Sequence, residues 1–358
     1  MKPYNIALLF ILSLFACAAK AQNNFTEVDK WLDDHTKTMG GRSILMIYKD
    51  GKIEHTYAVN ELDTRQKMVD RYIAKRQGKT ADLSDYTPTM RQPIASCSKW
   101  LSAALVMTFV DEGKLKLDDT VGKFLPILSQ HGKGNITIKD CLSHLTGVNE
   151  PPLREELHDI KDVSSMDDAI TLIAKMQTEG RPGKVFHYSN AGLQIAGAVI
   201  EKISGESFEK LFAERIARPL NMQNTDFGHN KVPMPAGGAY STPNDYMNFL
   251  VMILNKGTFN GKCILSEKII NEMQVNRLTP DVRIAYTPAQ LPGFGYGFGE
   301  WVMDASTVSS PGLFGSFPWV NNDRHYCAFL MTYYLNNAGR DERFKELEQL
   351  VNTALVKN

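Results

Sequence analysis

The chain has 358 residues, 43% hydrophobic and 22% charged, which is enough apolar length for one large domain or two interlocked ones. Lys plus Arg total 40 against 40 Asp plus Glu, a formal net charge of 0 that argues against a dedicated nucleic-acid binder. The same composition excludes a disordered or collagen-like chain.

Residues 1–21 place Lys2 ahead of an apolar run from Ile6 to Ala16, with Ala19 and Ala21 as small residues at a cleavage site. The run is too short to cross a bilayer as a helix and reads as a secretory signal removed before Gln22. The protein is therefore expected to be exported, periplasmic or secreted. A second route stays open. Leu14-Phe15-Ala16-Cys17 resembles a bacterial lipobox, and a lipid on Cys17 would tether the protein to a membrane. Residues 22–358 then form a single catalytic domain. Four cysteines lie in it, at 97, 141, 263 and 327. None has metal-ligand spacing, so no metal is expected, and the apolar settings of Cys97 and Cys141 predict buried free thiols.

Ser43 to Tyr48 is a strand-like apolar run, Asp50-Gly51 a hairpin signal, and Lys52 to Val59 the return strand. Residues 60–92 are polar and poorly periodic, carrying Arg65, Lys67, Arg71, Lys75, Arg76 and Lys79. They read as a surface excursion, partly helical, whose basic cluster fits a solvated face or a partner. From Lys99 to Asp111 the pattern is an amphipathic helix, with Leu101, Leu105 and Phe109 on one face and Gly113 as its stop. Further helices are expected at Leu115–Leu125, Thr137–Leu145, Gly192–Ile203, Phe208–Ile216, Tyr246–Asn255 and Glu267–Val275. Strands return at Phe294–Asp304, Leu313–Asn321 and His325–Leu335, and Arg340–Lys357 closes the chain as a helix. The fold class that results is α+β: an antiparallel sheet built from both chain ends (about 40–60 and 290–358), with a mostly helical region (about 96–285) inserted.

Ser96-Cys97-Ser98-Lys99 sits at the entry of the Lys99–Asp111 helix. One helical turn puts Ser96 and Lys99 on the same face. A serine hydroxyl needs a base to become a nucleophile, and a lysine serves if its pKa is lowered. Alone the tetrad is weak, because serine at a helix start is commonly an N-cap. Tyr188-Ser189-Asn190, on a loop before the next helix, can present a phenol and an amide to the same pocket. Ser310-Pro311-Gly312-Leu313 opens a late strand, where glycine allows close backbone approach by a ligand.

With these motifs, with Thr137 to Gly147 and with Ala236 to Thr242, nearly all of the chain after residue 21 resembles the serine β-lactamase-like superfamily. The relatives in question are class C β-lactamases, DD-peptidases and related esterases. The resemblance implies a β-lactamase/transpeptidase-like fold without a cofactor. It implies that Ser96 is the acylated nucleophile, that Lys99 and Tyr188 are its acid–base system, and that Asn190 positions substrate. The oxyanion hole would be the N–H groups of Ser96 and Leu313, with Ser310 and Gly312 lining the same edge. One departure matters. The family carries Lys or His where Ser310 stands, and a small residue where Pro311 stands. The charge that would hold a substrate carboxylate is missing at that point. Arg340 or Asn336 could replace it, although both also fit as ordinary helix-start and turn residues.

The resulting expectation is an exported serine hydrolase acting on small-molecule or peptide-like substrates, with neutral esters favoured. A DD-carboxypeptidase or β-lactamase, and a penicillin-binding sensor that is acylated without turnover, remain alternatives, and the oligomeric state stays open. Gly293 to Gly299 alternates Gly with aromatics but runs into a strand, so it is not a dinucleotide loop. His144 and His187 have no GxSxG elbow to serve.

Overall fold

The computed structural model describes residues 24–76, 78, 80–151, 163–228, 230–288, 291, 293–336 and 338–356. The expected signal, with Cys17, lies outside the described residues. The helices that frame the site are α1 (Thr26–Thr36), α2 (Thr64–Arg76), α3 (Ser98–Asp111), α4 (Ile138–Leu142), α5 (Ala191–Ser204), α6 (Pro243–Leu254) and α7 (Arg340–Ala354).

Asp50 and Gly51 both take left-handed backbone, with φ of 51° and 85°, which matches the twist of a two-residue hairpin. They join β1 (Arg42–Lys49) to β2 (Lys52–Asn60). The late strands are β3 (Gly295–Tyr296), β4 (Trp301–Val302), β5 (Thr307–Ser309), β6 (Phe317–Asn321) and β7 (Tyr326–Thr332). Together they form a seven-stranded antiparallel sheet in the order β2-β1-β7-β6-β5-β4-β3. Ser43 of β1 pairs with Thr332 of β7, so the two chain ends do meet as neighbouring strands inside the sheet.

Both faces of that strand pair are buried, and the two-residue period divides them. Leu45, Ile47, Ala328 and Leu330 point to one side, against Trp31 and Leu32 of α1 and Phe344 and Leu347 of α7. Ile44, Met46, Phe329 and Met331 point to the other side, into the larger core with α3, α5 and α6. This gives helices, sheet, then helices, with α3 at the centre of the second layer.

Several elements differ from the sequence reading. Helix α3 is buried on every side from Ser98 to Phe109, not along one stripe. Small residues at Ser102, Ala103 and Ala104 let neighbours close around it. Leu115–Leu125 keeps only a short 3-10 turn at Val121–Lys123. Phe294–Asp304 is two short strands around a glycine turn. A Cβ on Gly299 would lie 2.5 Å from Ala103 Cβ and 2.6 Å from Lys99 O, so the turn rests directly on α3. Gly312–Ser316 is a turn closed by Gly315 N–H to Gly312 O at 2.9 Å and Gly312 N–H to Ser316 O at 2.8 Å, and the strand begins only at Phe317. Cys97, Cys141 and Cys327 are buried free thiols, and Cys263 is an exposed one.

Candidate active site

Ser96 lies in a 3-10 turn, Ala95–Cys97, that feeds α3. Its side chain makes no helix-capping bond, so the hydroxyl is not spent on the helix start. Ala95, just before it, has a φ of 46°, a left-handed backbone that costs a non-glycine residue about 1 kcal/mol or more. The surroundings hold the turn in that state. Tyr246 Oη donates to Cys97 O at 2.8 Å, Ile94 N–H to Ala239 O at 3.0 Å, and Ala239 N–H to Ser98 Oγ at 3.0 Å.

Lys99 is 1% exposed. Its Nζ lies 3.3 Å from Ser96 Oγ, 2.9 Å from Asn190 Oδ1 and 2.8 Å from Ala236 O. It also sits 4.9 Å from the centroid of the Tyr188 ring. The Tyr188 phenol faces the side chains of Ser96 and Trp301. Burial pushes that phenol well above its usual pKa, and those two side chains oppose the rise only in part, so it is protonated at neutral pH. The ring is wedged between His144, at 4.6 Å, and Trp301, at 5.2 Å between centroids. Asn190 sits at the head of α5, where its N–H donates to Glu150 Oε2 at 2.6 Å. A cavity of about 250 Å³ opens beside Asn190, lined by Glu150, Leu172, Ile173, Met176 and Gln194 among others.

His144 follows α4, which a Thr137–Asp140 capping box fixes at its start. Its Nδ1 accepts from Ser189 N–H at 3.3 Å, so Nε2 carries the proton and donates to Tyr296 Oη at 2.9 Å. Burial, with the Lys99 charge and His187 adding to it, holds its pKa well below the usual value. His144 is thus a neutral bracket for the Tyr188 loop.

The late-strand edge is built differently. Ser310 is buried, and its Oγ donates to Ser96 O at 3.2 Å and Gly299 O at 3.1 Å. Gly312 has no room for a Cβ, which would lie 2.4 Å from Ile94 O. The close approach predicted there is thus made by the chain's own backbone. Arg340 is fully buried and spends its guanidinium on Leu313 O at 3.0 Å, Tyr334 O at 3.2 Å and Asn336 O at 3.3 Å. Asn336 Oδ1 accepts from Ala338 N–H at 3.1 Å. Among the described residues, the N–H groups of Ser96 and Leu313 donate to no acceptor in the chain.

Comparison with known proteins identifies the fold that carries this site. The Beta-lactamase family model matches residues 29–352. The chain belongs to the beta-lactamase family. A curated relative, an uncharacterized protein of Mycobacterium tuberculosis, is 25% identical over 284 residues, covering 63% of this chain and 71% of its own. A crystal structure of a candidate beta-lactamase from Bacteroides dorei superposes with a TM-score of 0.76 at 26% identity, over 93% of this chain and 99% of that one. EstCE1, a hydrolase described as having promiscuous acyltransferase activity, shares the fold with a TM-score of 0.69 at 19% identity, over 91% of this chain and 96% of its own.

Within this beta-lactamase-family fold, Ser96 and Asn190 meet at Lys99 Nζ, with the Tyr188 ring beside it. Ser310, Gly312 and Leu313 flank them, yet Ser310 turns its hydroxyl into backbone carbonyls. Arg340 and Asn336 are occupied by the turn they hold. Three contributors escaped the sequence reading. Ala236 acts through its carbonyl, which side-chain identity does not reveal. Trp301 lies just past the glycine–aromatic run Gly293–Gly299, whose composition carries no catalytic signal. Glu150 follows the Thr137–Gly147 motif with no spacing signal of its own.

Proposed function

We propose that this protein is an exported serine hydrolase that cleaves esters, and more slowly amides, through an acyl-enzyme on Ser96. The observation that carries the reading is the contact set of Lys99 Nζ, 3.3 Å from Ser96 Oγ, 2.9 Å from Asn190 Oδ1 and 4.9 Å from the centroid of the Tyr188 ring. Ser96 Oγ attacks the substrate carbonyl carbon while Lys99, once it has given up its own proton, takes the hydroxyl proton. Negative charge moves to the carbonyl oxygen, which the N–H groups of Ser96 and Leu313 would hold at the positively polarised start of the helix. Collapse of the adduct breaks the bond to the leaving alcohol or amine. Lys99, relayed by the Tyr188 phenol, returns the proton to it. Water then attacks the acyl-enzyme with the same groups in reverse, releasing the acid and restoring Ser96.

Neutral substrates are favoured because neither Ser310 nor Arg340 offers a cation to a substrate carboxylate. EstCE1's described hydrolase and acyltransferase activity is consistent with an ester preference. The test is labelling with a fluorophosphonate and with a fluorescent penicillin, followed by peptide mapping and by turnover of a short aryl ester. The expected result is a label on the Ser96 peptide and catalytic ester turnover. A label on another serine refutes the assignment, and labelling of Ser96 without turnover of any ester makes the protein an acylated sensor.

A further inference from the structure

Helix α2 (Thr64–Arg76) turns its polar side to the protein and its apolar side to solvent. Gln66 and Asp70, one turn apart, face the body: Gln66 Nε2 donates to Lys37 O at 3.1 Å, and Asp70 meets Arg42 at 3.6 Å. Met68, Val69, Tyr72 and Ile73 recur at helical spacing on the outer side and are 57%, 48%, 61% and 45% exposed. No residue of α2 is buried. A helix with only water beyond it has the opposite polarity. Tyr333 and Leu335 are exposed as well. An exposed apolar helix face of this kind marks an interaction surface.

Charge selects the partner. Arg65, Lys67, Arg71, Lys75 and Arg76 are all exposed on the same helix, and among the described residues none has a carboxylate within ion-pair distance. The helix's acid, Asp70, already serves Arg42. A second copy docking here about a two-fold axis would press this basic face onto itself. An anionic bilayer satisfies both chemistries, with headgroup phosphates for the cations and the acyl boundary for Met68, Val69, Tyr72 and Ile73. We propose that α2 is an interfacial helix that docks the protein onto an anionic lipid surface. The inference is independent of the Ser96 chemistry, and the proposed export would bring the protein to such a surface.

The test is co-sedimentation of the purified protein with phosphatidylethanolamine vesicles containing about 30% phosphatidylglycerol, against phosphatidylcholine vesicles alone. The expected result is binding to the anionic vesicles only, weakened by about 0.5 M salt. Met68→Ser/Tyr72→Ser and, separately, Arg71→Glu/Lys75→Glu should each lower that binding ~10-fold or more. Both variants should keep the wild-type melting temperature and the wild-type turnover of a soluble ester. Failure of the folded wild type to bind, or equal binding by the variants, overturns the proposal. So does a wild-type dimer that Met68→Ser/Tyr72→Ser dissolves, which would assign the face to a second copy.

Discussion

The two edges of the cleft around Ser96 use polar side chains in opposite ways. On the Tyr188 edge, Lys99, Asn190 and the phenol turn their functional atoms toward the serine and toward one another. On the Ser310 edge, the hydroxyl and the guanidinium turn away from the cleft and hold main-chain carbonyls. Where the family resemblance implies a late strand that reads substrate charge, this chain has a charge-free wall braced from behind. The proposed acyl transfer and the reading of the substrate can therefore be varied separately.

The sharpest way to break this comparison is at the reactive edge. Ser96→Ala should abolish fluorophosphonate labelling, with stability changed by less than the roughly 1 kcal/mol that a lost cap costs, since Ser96 caps nothing. Tyr188→Phe retains the packing against His144 and Trp301 and removes the shared phenol. Ester turnover should fall by roughly 10²–10⁴. Normal turnover in Tyr188→Phe, measured on a preparation free of wild type, would remove the phenol from the proton path.

The bracing edge should give smaller effects of another kind. Arg340 Nη1 holds Leu313 O, in the turn that carries the proposed oxyanion donor. Arg340→Ala should lower kcat about 10–100-fold with less change in KM, because a loosened donor costs transition-state stabilisation. Added guanidinium should restore part of kcat, whereas Arg340→Lys, with no planar fork, should remain impaired. A change confined to KM would instead assign Arg340 to substrate binding.

Substrate preference should shift least. The wild type is expected to turn over a short aryl ester better than benzylpenicillin. Ser310→Lys places a cation on the silent edge and gives up the hydroxyl's bonds to Ser96 O and Gly299 O. The ratio of penicillin to ester turnover should rise ~10-fold, from a charge-assisted bond worth roughly 1.5–3 kcal/mol less that loss. Efficient penicillin hydrolysis by the wild type would show that the wall is not charge-free.

The reactive edge was legible in the sequence because it depends on side-chain type at fixed spacing: a serine and a lysine one turn apart, then Tyr188 and Asn190 before a helix. The antiparallel sheet was legible because the Asp50-Gly51 hairpin and the late alternating runs bracket a helical middle. The roles of Ser310 and Arg340 were not, since the residue type does not tell whether a hydroxyl or guanidinium faces a cleft or a carbonyl. The burial of α3 escaped for a related reason. Its Ser102, Ala103 and Ala104 blur the apolar stripe, and only tertiary packing decides that all sides are covered. The orientation of α2 was hidden too, because a helical period shows that a stripe exists and not which way it faces.

The loop between the two edges offers the mildest test. Gly299 rests on Lys99 O and accepts from Ser310, and the next residue, Glu300, is fully buried, with no hydrogen-bond partner among the described residues on either carboxylate oxygen. Burial pushes its carboxyl well above the usual value of 4.5, opposed only by the Lys256 charge, while Tyr246 and Tyr296 stand nearby as uncharged phenols. The folded state therefore keeps a proton that the unfolded chain releases above about pH 4.5. Its contribution to stability is complete below that pH and is lost as pH rises toward the folded pKa. His144, held neutral, acts in the opposite sense, because its unfolded form gains a proton as pH falls below 6.5. Glu300→Gln removes one slope and leaves the other. Its melting temperature relative to wild type should climb by roughly a few degrees between about pH 4.5 and pH 8. Calorimetry of the two proteins across that range would read the slope directly. A difference that stays constant with pH would mean that Glu300 does not hold a proton in the folded protein, and that the loop on which both edges rest carries a buried charge.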